Sequence, residues 1–227
     1  MTAPASSRAG DRRLNLVLIG PPGSGKGTQA IRLAERYKVP HISTGDILRA
    51  AVRDGTRLGR QVAAILAAGS LVGDDVITDL VRERLREPDA RSGFVLDGYP
   101  RTVVQAKALD QLLTSPPIVI LIDVPDEEIV TRLGTRRVCE SCRITQTGSA
   151  VESDPCPYCG GKLVRRPDDE PATVRHRLAT YVEFAAPVVA HYRATALFGT
   201  VNGVQPLTAV LRDLCAEIDH RRPGVQE

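Results

Sequence analysis

The sequence of 227 residues has no tryptophan, and aromatic residues make up only 4% of it. A hydrophobic core must therefore be built mainly from leucine, valine, isoleucine and alanine. No apolar run approaches the roughly 18 residues of a membrane-spanning helix, so we expect no membrane partner. The formal net charge of +3 is small and no segment is strongly basic, which argues against a nucleic-acid partner.

Residues 1–13 lack the apolar segment of a secretory signal. We interpret them as a short disordered leader and expect a cytoplasmic protein. Four of the five cysteines form two close pairs, whereas Cys215 stands alone on an apolar helical face, where we expect it in the core. Paired cysteines without a secretory signal favour metal binding over disulfides.

A glycine-rich segment directly follows the apolar run Leu14–Ile19. Closely spaced glycines let backbone N–H groups turn toward phosphate oxygens, and the helix that follows directs its positive end to the same point. The spacing of Gly20, Gly25 and Lys26 matches the Walker A pattern, although the hydroxyl that usually follows the lysine comes one residue late, at Thr28. A simple glycine-rich turn is the alternative, but such a turn needs neither this spacing nor the lysine.

The paired cysteines are Cys139, Cys142, Cys156 and Cys159. Two residues between cysteines let one tight turn present both sulfurs to a tetrahedral ion, so we predict structural zinc with four protein ligands. Disulfides and a redox CxxC site are the alternatives, although redox sites usually carry a single pair at a helix start. Because a segment this small has almost no apolar core, metal binding would be what folds it.

Apolar runs alternate with helical patterns along most of the chain, which predicts an α/β protein with a parallel sheet covered by helices on both faces. The helical pattern fails from about residue 135 to residue 169, which we interpret as an insertion. The predicted strands are Leu14–Ile19, Val39–Ile42, Phe94–Leu96, Ile118–Asp123 and Leu197–Val201. The predicted helices are Gly25–Tyr37, Thr44–Arg53, Arg57–Ala68, Asp74–Arg86, Thr102–Leu113, one starting near Pro125, Pro171–Ala196 and Pro206–His220. In the helix that starts at Asp74, we expect Val76, Leu80, Val81 and Leu85 to face inward.

Three further motifs are Ser43-Thr-Gly-Asp-Ile-Leu-Arg49, Asp97-Gly-Tyr-Pro-Arg101-Thr and Arg166-Pro-Asp168-Asp169. Together with the phosphate loop, Arg136 and Arg177, they resemble adenylate kinase in its long, zinc-bearing bacterial form. The resemblance extends from about residue 14 to residue 219 and implies the P-loop nucleoside monophosphate kinase fold. It implies a core of residues 14–134 and 170–221, a nucleoside-monophosphate-binding segment at 43–72 and a zinc-bearing lid at 135–169.

The resemblance also implies an activity, the reversible transfer of a phosphoryl group from ATP to AMP to give two ADP, by a monomer that uses Mg²⁺ with ATP and structural Zn²⁺. The implied ATP-binding residues are Gly23, Ser24, Gly25, Lys26, Gly27, Thr28, Arg132, Arg136 and Gln205. The implied AMP-binding residues are Thr44, Arg49, Ser70, Leu71, Val72, Gly98, Tyr99, Pro100, Arg101, Gln105, Arg166 and Arg177. The implied catalytic residues are Lys26, Arg101, Arg136, Arg166 and Arg177.

Arginine suits such a site because its planar fork binds phosphate oxygens and keeps its charge. By the same resemblance, Asp97 would act on Mg²⁺ through water, and Asp168 and Asp169 would orient lid arginines by ion pairing. For any single arginine, the simple alternative is a solvated surface charge. For Asp97, it is a turn residue before Gly98.

The donor side departs from the family pattern. Ile144 and Thr145 stand where a Tyr-His pair usually touches the donor base, and Gln205 stands where a lysine is sometimes found. Another nucleoside monophosphate kinase, or one that uses GTP with AMP, is therefore an alternative, as is a weakened duplicate of the family. A zinc-ribbon protein that binds nucleic acid on a P-loop scaffold is a different class, but Tyr158 alone could stack on a base near the cysteines.

Overall fold

The computed structural model describes residues 13–142, 144–148, 154–195 and 197–222. The predicted leader therefore lies outside the described residues, except for Arg13. The strands are β1 (Leu14–Ile19), β2 (His41–Ser43), β3 (Gly93–Asp97), β4 (Ile118–Asp123), β5 (Arg137–Cys139), β6 (Thr145–Gln146), β7 (Leu163–Val164) and β8 (Phe198–Asn202). The α-helices are α1 (Lys26–Tyr37), α2 (Thr44–Arg53), α3 (Arg57–Ala67), α4 (Asp74–Leu85), α5 (Val103–Leu112), α6 (Asp126–Thr135), α7 (Pro171–Arg193) and α8 (Leu207–Arg221). Short 3₁₀ helices cover Pro88–Ser92 and Pro167–Asp169.

Five parallel strands form the central sheet in the order β2-β3-β1-β4-β8. All six residues of β1 are buried, as expected for a central strand with helices over both faces. Leu18 of β1 and Ser43 of β2 both lie opposite Asp97 of β3. The carboxyl ends of these strands therefore meet at one edge, where open α/β sheets bind ligands.

Alternate side chains of β1 enter two separate apolar layers. Leu16 packs in one layer with Leu33 of α1 and Leu214 of α8. Val17 packs in the other layer with Leu109 of α5. This two-sided core holds β1 rigidly, and with it the loop that leaves its carboxyl end.

The predicted inward face of α4 is partly wrong. Val81 is fully buried, and Leu80 and Leu85 pack at the edge of the core. Val76, however, is 42% exposed, and its neighbour Ile77 is buried instead. Consecutive residues on a helix point about 100° apart, so Ile77 can face the core while Val76 faces the solvent.

Helices α2 and α3 form a hairpin above the edge of the sheet. Ser43 caps α2 by accepting a hydrogen bond from the Asp46 N–H at 3.3 Å, and Thr56 caps α3 by accepting one from the Gly59 N–H at 3.0 Å. A Cβ atom on Gly59 would overlap the backbone of Ala51, so glycine permits this close crossing.

The cysteine-bearing insertion forms a separate antiparallel sheet in the order β6-β5-β7. Its buried cluster consists of Cys139, Cys156 and Leu163. A region with so little apolar surface to bury gains little stability from hydrophobic packing.

The longest helix, α7, follows the insertion and returns the chain to the core. It spans 23 residues with Pro187 in its interior, close to the predicted extent. Among the described residues, no helix combines the length and apolar character needed to cross a membrane.

Candidate active site

The loop between β1 and α1 forms a backbone cradle. Gly23 and Gly25 have φ angles of 87° and 91°, in the left-handed region that favours glycine. Lys26 folds over the loop, and its Nζ donates to the carbonyl oxygens of Gly20 at 2.7 Å and Pro21 at 2.8 Å. Burial lowers the pKa of Lys26 to about 8. Anionic oxygens could replace the two carbonyls and would raise the lysine pKa toward its ordinary value.

Asp97 faces this loop from the end of β3. A Cβ atom on Gly27 would lie 3.3 Å from its Oδ2, so the glycine leaves room for the carboxylate. The Nε2 of His41 lies 3.8 Å from the same oxygen. Burial alone would raise the pKa of Asp97, but His41, Lys26 and Arg101 outweigh burial and hold it below its ordinary value. An ionised carboxylate suits Mg²⁺, which binds oxygen ligands and retains much of its water.

Two aspartates pair with arginines from different elements. Arg136, directly after α6, donates through Nε to Asp169 Oδ2 at 2.7 Å and through Nη2 to Oδ1. Arg177 of α7 donates to Asp168 Oδ2 at 2.8 Å. The predicted pairing with a lid arginine therefore forms at Asp169, whereas Asp168 pairs with an arginine of α7, outside the predicted lid. The two ion pairs fix the direction of both guanidinium groups before any ligand binds.

Arg166 and Arg177 are strongly desolvated. Burial is the main reason that the pKa of each falls to about 10, and neighbouring arginines lower both further. Both groups remain protonated at neutral pH. Cations that are buried and repel one another favour a multiply charged anion as their ligand.

A second depression adjoins this cationic cluster. Thr44 Oγ1 and Arg101 Nε donate to the same carbonyl, that of Gly98, at 3.0 and 2.9 Å. Gln105 Oε1 accepts a hydrogen bond from the Arg101 N–H at 2.8 Å. The wall of this depression is therefore held by hydrogen bonds within the protein.

On the opposite side, Arg132 donates through Nε to Glu128 at 2.7 Å and through Nη2 to the Gly203 carbonyl at 2.9 Å. Gln205 donates through Nε2 to Asp213 at 2.8 Å. The Arg132 guanidinium is thus fixed at the cavity mouth, whereas the Gln205 amide turns toward α8.

A cavity of about 880 Å³ brings most of the predicted residues together. Those that line it are Gly23, Ser24, Gly25, Lys26, Gly27, Thr28, Arg49, Leu71, Asp97, Gly98, Pro100, Arg101, Arg132, Arg136, Arg166, Arg177 and Gln205. The adjoining depression is lined by Thr44, Ser70, Val72 and Gln105. Tyr99 lines neither space, because it is 1% exposed and its hydroxyl donates to the Gln105 carbonyl at 3.0 Å. Tyr99 therefore supports the wall of the depression from behind.

The four paired cysteines come together at one point of the insertion. Their sulfur atoms all lie within 4.8 Å of one another, with 3.5 Å between Cys139 and Cys159 and 3.6 Å between Cys142 and Cys156. Zinc–sulfur bonds of about 2.3 Å in a tetrahedron require sulfurs about 3.8 Å apart. The Cys142 N–H donates to the Cys139 sulfur and is the main reason that the pKa of Cys139 falls to about 6. The cluster therefore fits a four-thiolate zinc site.

Three residues of the site were not predicted from the sequence. His41 lies beside Asp97, Asp74 lies beside Gln105, and the Gly203 carbonyl holds Arg132. Only His41 had an available signal, because it lies near the end of the predicted strand Val39–Ile42, and the carboxyl ends of parallel strands meet at one edge of a sheet. The other two contacts join segments whose separation along the chain gives no indication of contact.

Comparison with known proteins agrees with this geometry. A family model described as adenylate kinase matches residues 18–197. The adenylate kinase of Desulfitobacterium hafniense strain DCB-2 is 44% identical over 215 residues, which are 91% of this chain and 99% of that protein. The adenylate kinase of Moorella thermoacetica is 47% identical over 205 residues, which are 87% and 94% of the two chains. The adenylate kinase of Archaeoglobus fulgidus is 41% identical over 213 residues, which are 91% of this chain and 98% of that protein.

The parallel sheet flanked by helices confirms the P-loop nucleoside monophosphate kinase fold, and the four-cysteine cluster agrees with the long, zinc-bearing form. The family model spans well over half of the chain, and these relatives are matched over nearly their whole length. The chain therefore belongs to the adenylate kinase family.

Proposed function

We propose that this protein transfers a phosphoryl group reversibly from ATP to AMP and so produces two ADP. The observation that carries the proposal is one cavity lined by the glycine-rich loop after β1 and by five cationic side chains, with a second depression adjoining it. Those cations are Lys26, Arg101, Arg136, Arg166 and Arg177. Membership of the adenylate kinase family supports the same reaction.

The donor triphosphate would lie along the loop from Gly23 to Thr28, where the α1 N-terminus and backbone N–H groups favour anions. Lys26 would exchange the carbonyls of its own loop for the β and γ phosphates. Arg132 and Gln205 would flank the donor base. When Mg²⁺ is bound with ATP, it neutralises phosphate charge, and Asp97 would hold it through water.

The acceptor would occupy the adjoining depression. Arg49 and Arg101 would bind its phosphate by bidentate hydrogen bonds. Gln105 would contact the base. The remaining wall residues are Thr44, Ser70, Leu71, Val72, Gly98 and Pro100, with Tyr99 behind them.

In the reaction, an oxygen of the AMP phosphate would attack the γ phosphorus of ATP. The bond from that phosphorus to the β–γ bridging oxygen would break, and ADP would leave with the electron pair. The nucleophile is already an anion, so no general base is needed. Arg136, Arg166 and Arg177 would stabilise the charge that spreads over the transferring group.

Water competes with the acceptor phosphate, so the site has to close before transfer. We assign closure to the segment 43–72 and to the lid 135–169, which are mounted on the core of 14–134 and 170–221. If reopening of the lid limits turnover, product forms in a burst on rapid mixing. A linear start from the first moment would contradict a slow release step.

Zinc held by Cys139, Cys142, Cys156 and Cys159 would supply the folding energy of the lid and no chemistry, because all four positions are taken by protein. We further propose a cytoplasmic monomer without a nucleic-acid or membrane partner, in keeping with the small net charge.

The test is ADP formation from ATP, AMP and Mg²⁺, with GTP and other nucleoside monophosphates in parallel. We expect ATP with AMP to be the preferred pair and Lys26→Met to abolish the reaction. Lys38→Met is the control, because it removes the same charge from the exposed opposite end of α1. Absence of ADP, or a preference for another pair, would overturn the proposal, and metal analysis of the same sample should give one zinc per chain.

A further inference from the structure

The glutamine that faces the acceptor depression is held at both ends of its amide. Gln105 is 2% exposed and lines the depression. Its Nε2 donates to Asp74 Oδ1 at 2.8 Å, and its Oε1 accepts from the Arg101 N–H at 2.8 Å. Thr102 Oγ1 donates to the same Asp74 oxygen at 3.0 Å and so fixes the carboxylate.

These partners admit only one orientation of the amide. The two ends of an amide have nearly the same shape, so a glutamine can turn over where its partners allow it. Here one partner is a carboxylate that only accepts, and the other is a backbone N–H that only donates. A flipped Gln105 would place oxygen against the Asp74 carboxylate and NH₂ against the Arg101 N–H. Both hydrogen bonds would become repulsive contacts.

The backbone of Gln105 is fixed as well. Its N–H donates to the Thr102 hydroxyl at 3.2 Å, and its carbonyl accepts from Tyr99. The Tyr99 hydroxyl also lies 3.2 Å from Thr78 Oγ1 of α4. The amide is therefore presented by a rigid junction between α4 and α5.

After these two side-chain hydrogen bonds, one Nε2 hydrogen and one Oε1 lone pair of the Gln105 amide remain available to a ligand. A 6-aminopurine presents a ring nitrogen that accepts beside an amino group that donates, and it matches this pair directly. A 6-oxopurine presents the reverse, an N–H beside a carbonyl, and it would match only after the amide turns over.

We propose that Asp74 is a positioning residue that determines acceptor specificity: by fixing the Gln105 amide in one orientation, it selects a 6-aminopurine nucleotide over its 6-oxo analogue. The inference rests on the proposed function, in which this depression binds the acceptor. Asp74 touches neither nucleotide, and its effect passes entirely through the glutamine.

The test compares Asp74→Asn with Asp75→Asn. Both changes remove one carboxylate from the first turn of α4, but Asp75 is exposed to solvent. The amide introduced by Asp74→Asn can donate as well as accept, so Gln105 gains its second orientation. Loss of the charged partner frees the amide to turn over, and we expect about tenfold losses in AMP affinity and in the preference for AMP over IMP.

The kinetic pattern separates positioning from a structural role. Asp74→Asn should raise the KM for AMP and leave the KM for ATP and the kcat at saturating AMP within about twofold, whereas Asp75→Asn should resemble the parent. An unchanged AMP-to-IMP ratio in folded Asp74→Asn would overturn the inference. If that variant does not fold, Asp74→Ser serves instead, because its hydroxyl also both donates and accepts.

Calorimetric binding of AMP and IMP to the same variants distinguishes this inference from the proposed function. If the parent protein binds AMP in preference to IMP and Asp74→Asn loses the preference, the inference stands even if no phosphoryl group is transferred. If ADP forms normally and the binding preference is the same in both proteins, the inference fails while the proposed function stands.

Discussion

The central sheet and the cysteine-bearing lid keep their shapes by different means. Strands such as β1 are buried on both faces between two apolar layers. Among its described residues, the lid has a small buried cluster of Cys139, Cys156 and Leu163, where the four cysteine sulfurs converge. Yet each region supplies cations to the same cavity, with Arg177 from α7 and Arg136 from the base of the lid.

The two regions therefore depend on different sources of stability. Hydrophobic burial holds the phosphate loop rigidly, whereas a metal can fold a small region that remains free to move as a unit. The ion pair between Arg136 and Asp169 lies at the junction of the two regions. Loss of the metal should therefore disturb the lid and its arginines and leave the core folded.

Cys156→Ser should have the strongest consequence, because it removes one of the four ligands of the metal site. Structural zinc contributes about 10–16 kcal/mol in zinc-finger peptides, so the lid should lose its metal and its protection from hydrogen exchange. The kcat should fall about 10³-fold, because arginines of the lid no longer reach the phosphates. Hydrogen exchange and metal analysis check both outcomes, and strands of the core should keep their protection.

Cys215→Ser is the matched control, since the same atom changes at a buried position of the core. It should cost about 1–3 kcal/mol of unfolding free energy and leave one zinc bound. A Cys156→Ser protein that keeps its metal and its activity would contradict a metal-folded lid.

The next prediction concerns Arg177, a cation that the core supplies to the cavity. Arg177→Ala should lower kcat about 10³-fold, as expected for an arginine that stabilises a transferring phosphoryl group. Arg175→Ala removes an exposed arginine from the same helix and should leave kcat unchanged. Steady-state kinetics on both variants provides the measurement, and a fall of less than about tenfold for Arg177→Ala would be inconsistent with such a role.

The third effect should be confined to the sheet. Leu96 of β3 is fully buried, so Leu96→Ala should cost about 2–5 kcal/mol of unfolding free energy. Denaturant unfolding should show this loss with zinc content unchanged. Val104→Ala, at a side chain that is 57% exposed, should stay within about 0.5 kcal/mol. Loss of zinc on Leu96→Ala would show that the two regions do not fold separately.

The smallest effect is a pH dependence of the phosphate loop. Burial lowers the pKa of Lys26 from 10.5 to about 8, so the free protein loses this charge above pH 8. The kcat/KM for ATP should then fall by up to about tenfold per pH unit. The kcat should stay independent of pH in the same range, because bound phosphates raise the lysine pKa. Stability should not fall in parallel, because deprotonation removes the unfavourable burial of a charge. In Lys26→Arg, this descending limb should disappear.

Sequence patterns predicted the sheet well because its strands are short apolar runs with helical periodicity between them. The strand Leu14–Ile19 was predicted to the residue, and the phosphate loop follows from glycine spacing and Lys26. The face of α4 was harder, because Val76 and Ile77 are adjacent and both apolar, and only the folded structure shows that Ile77 is the buried one.

The residues of the site also fall into those that the sequence predicts and those that it does not. Motifs identified residues whose chemistry is local, such as the four cysteines and the arginines. Pattern alone could not identify Asp74, because its contact with Gln105 exists only once α4 and α5 pack together. Contacts of this kind depend on tertiary geometry and leave no periodic signal in the sequence.

Cations from both regions should hold two nucleotides end to end. Calorimetric titration with two adenosines joined through five phosphates measures this arrangement in one binding step. We expect one molecule per zinc-loaded chain, bound far more tightly than ATP or AMP alone. Binding should weaken in Arg177→Ala and in Cys156→Ser and stay unchanged in Arg175→Ala. Binding no tighter than that of ATP would contradict end-to-end binding of the two nucleotides. Binding of two independent molecules of the compound per chain would contradict it as well.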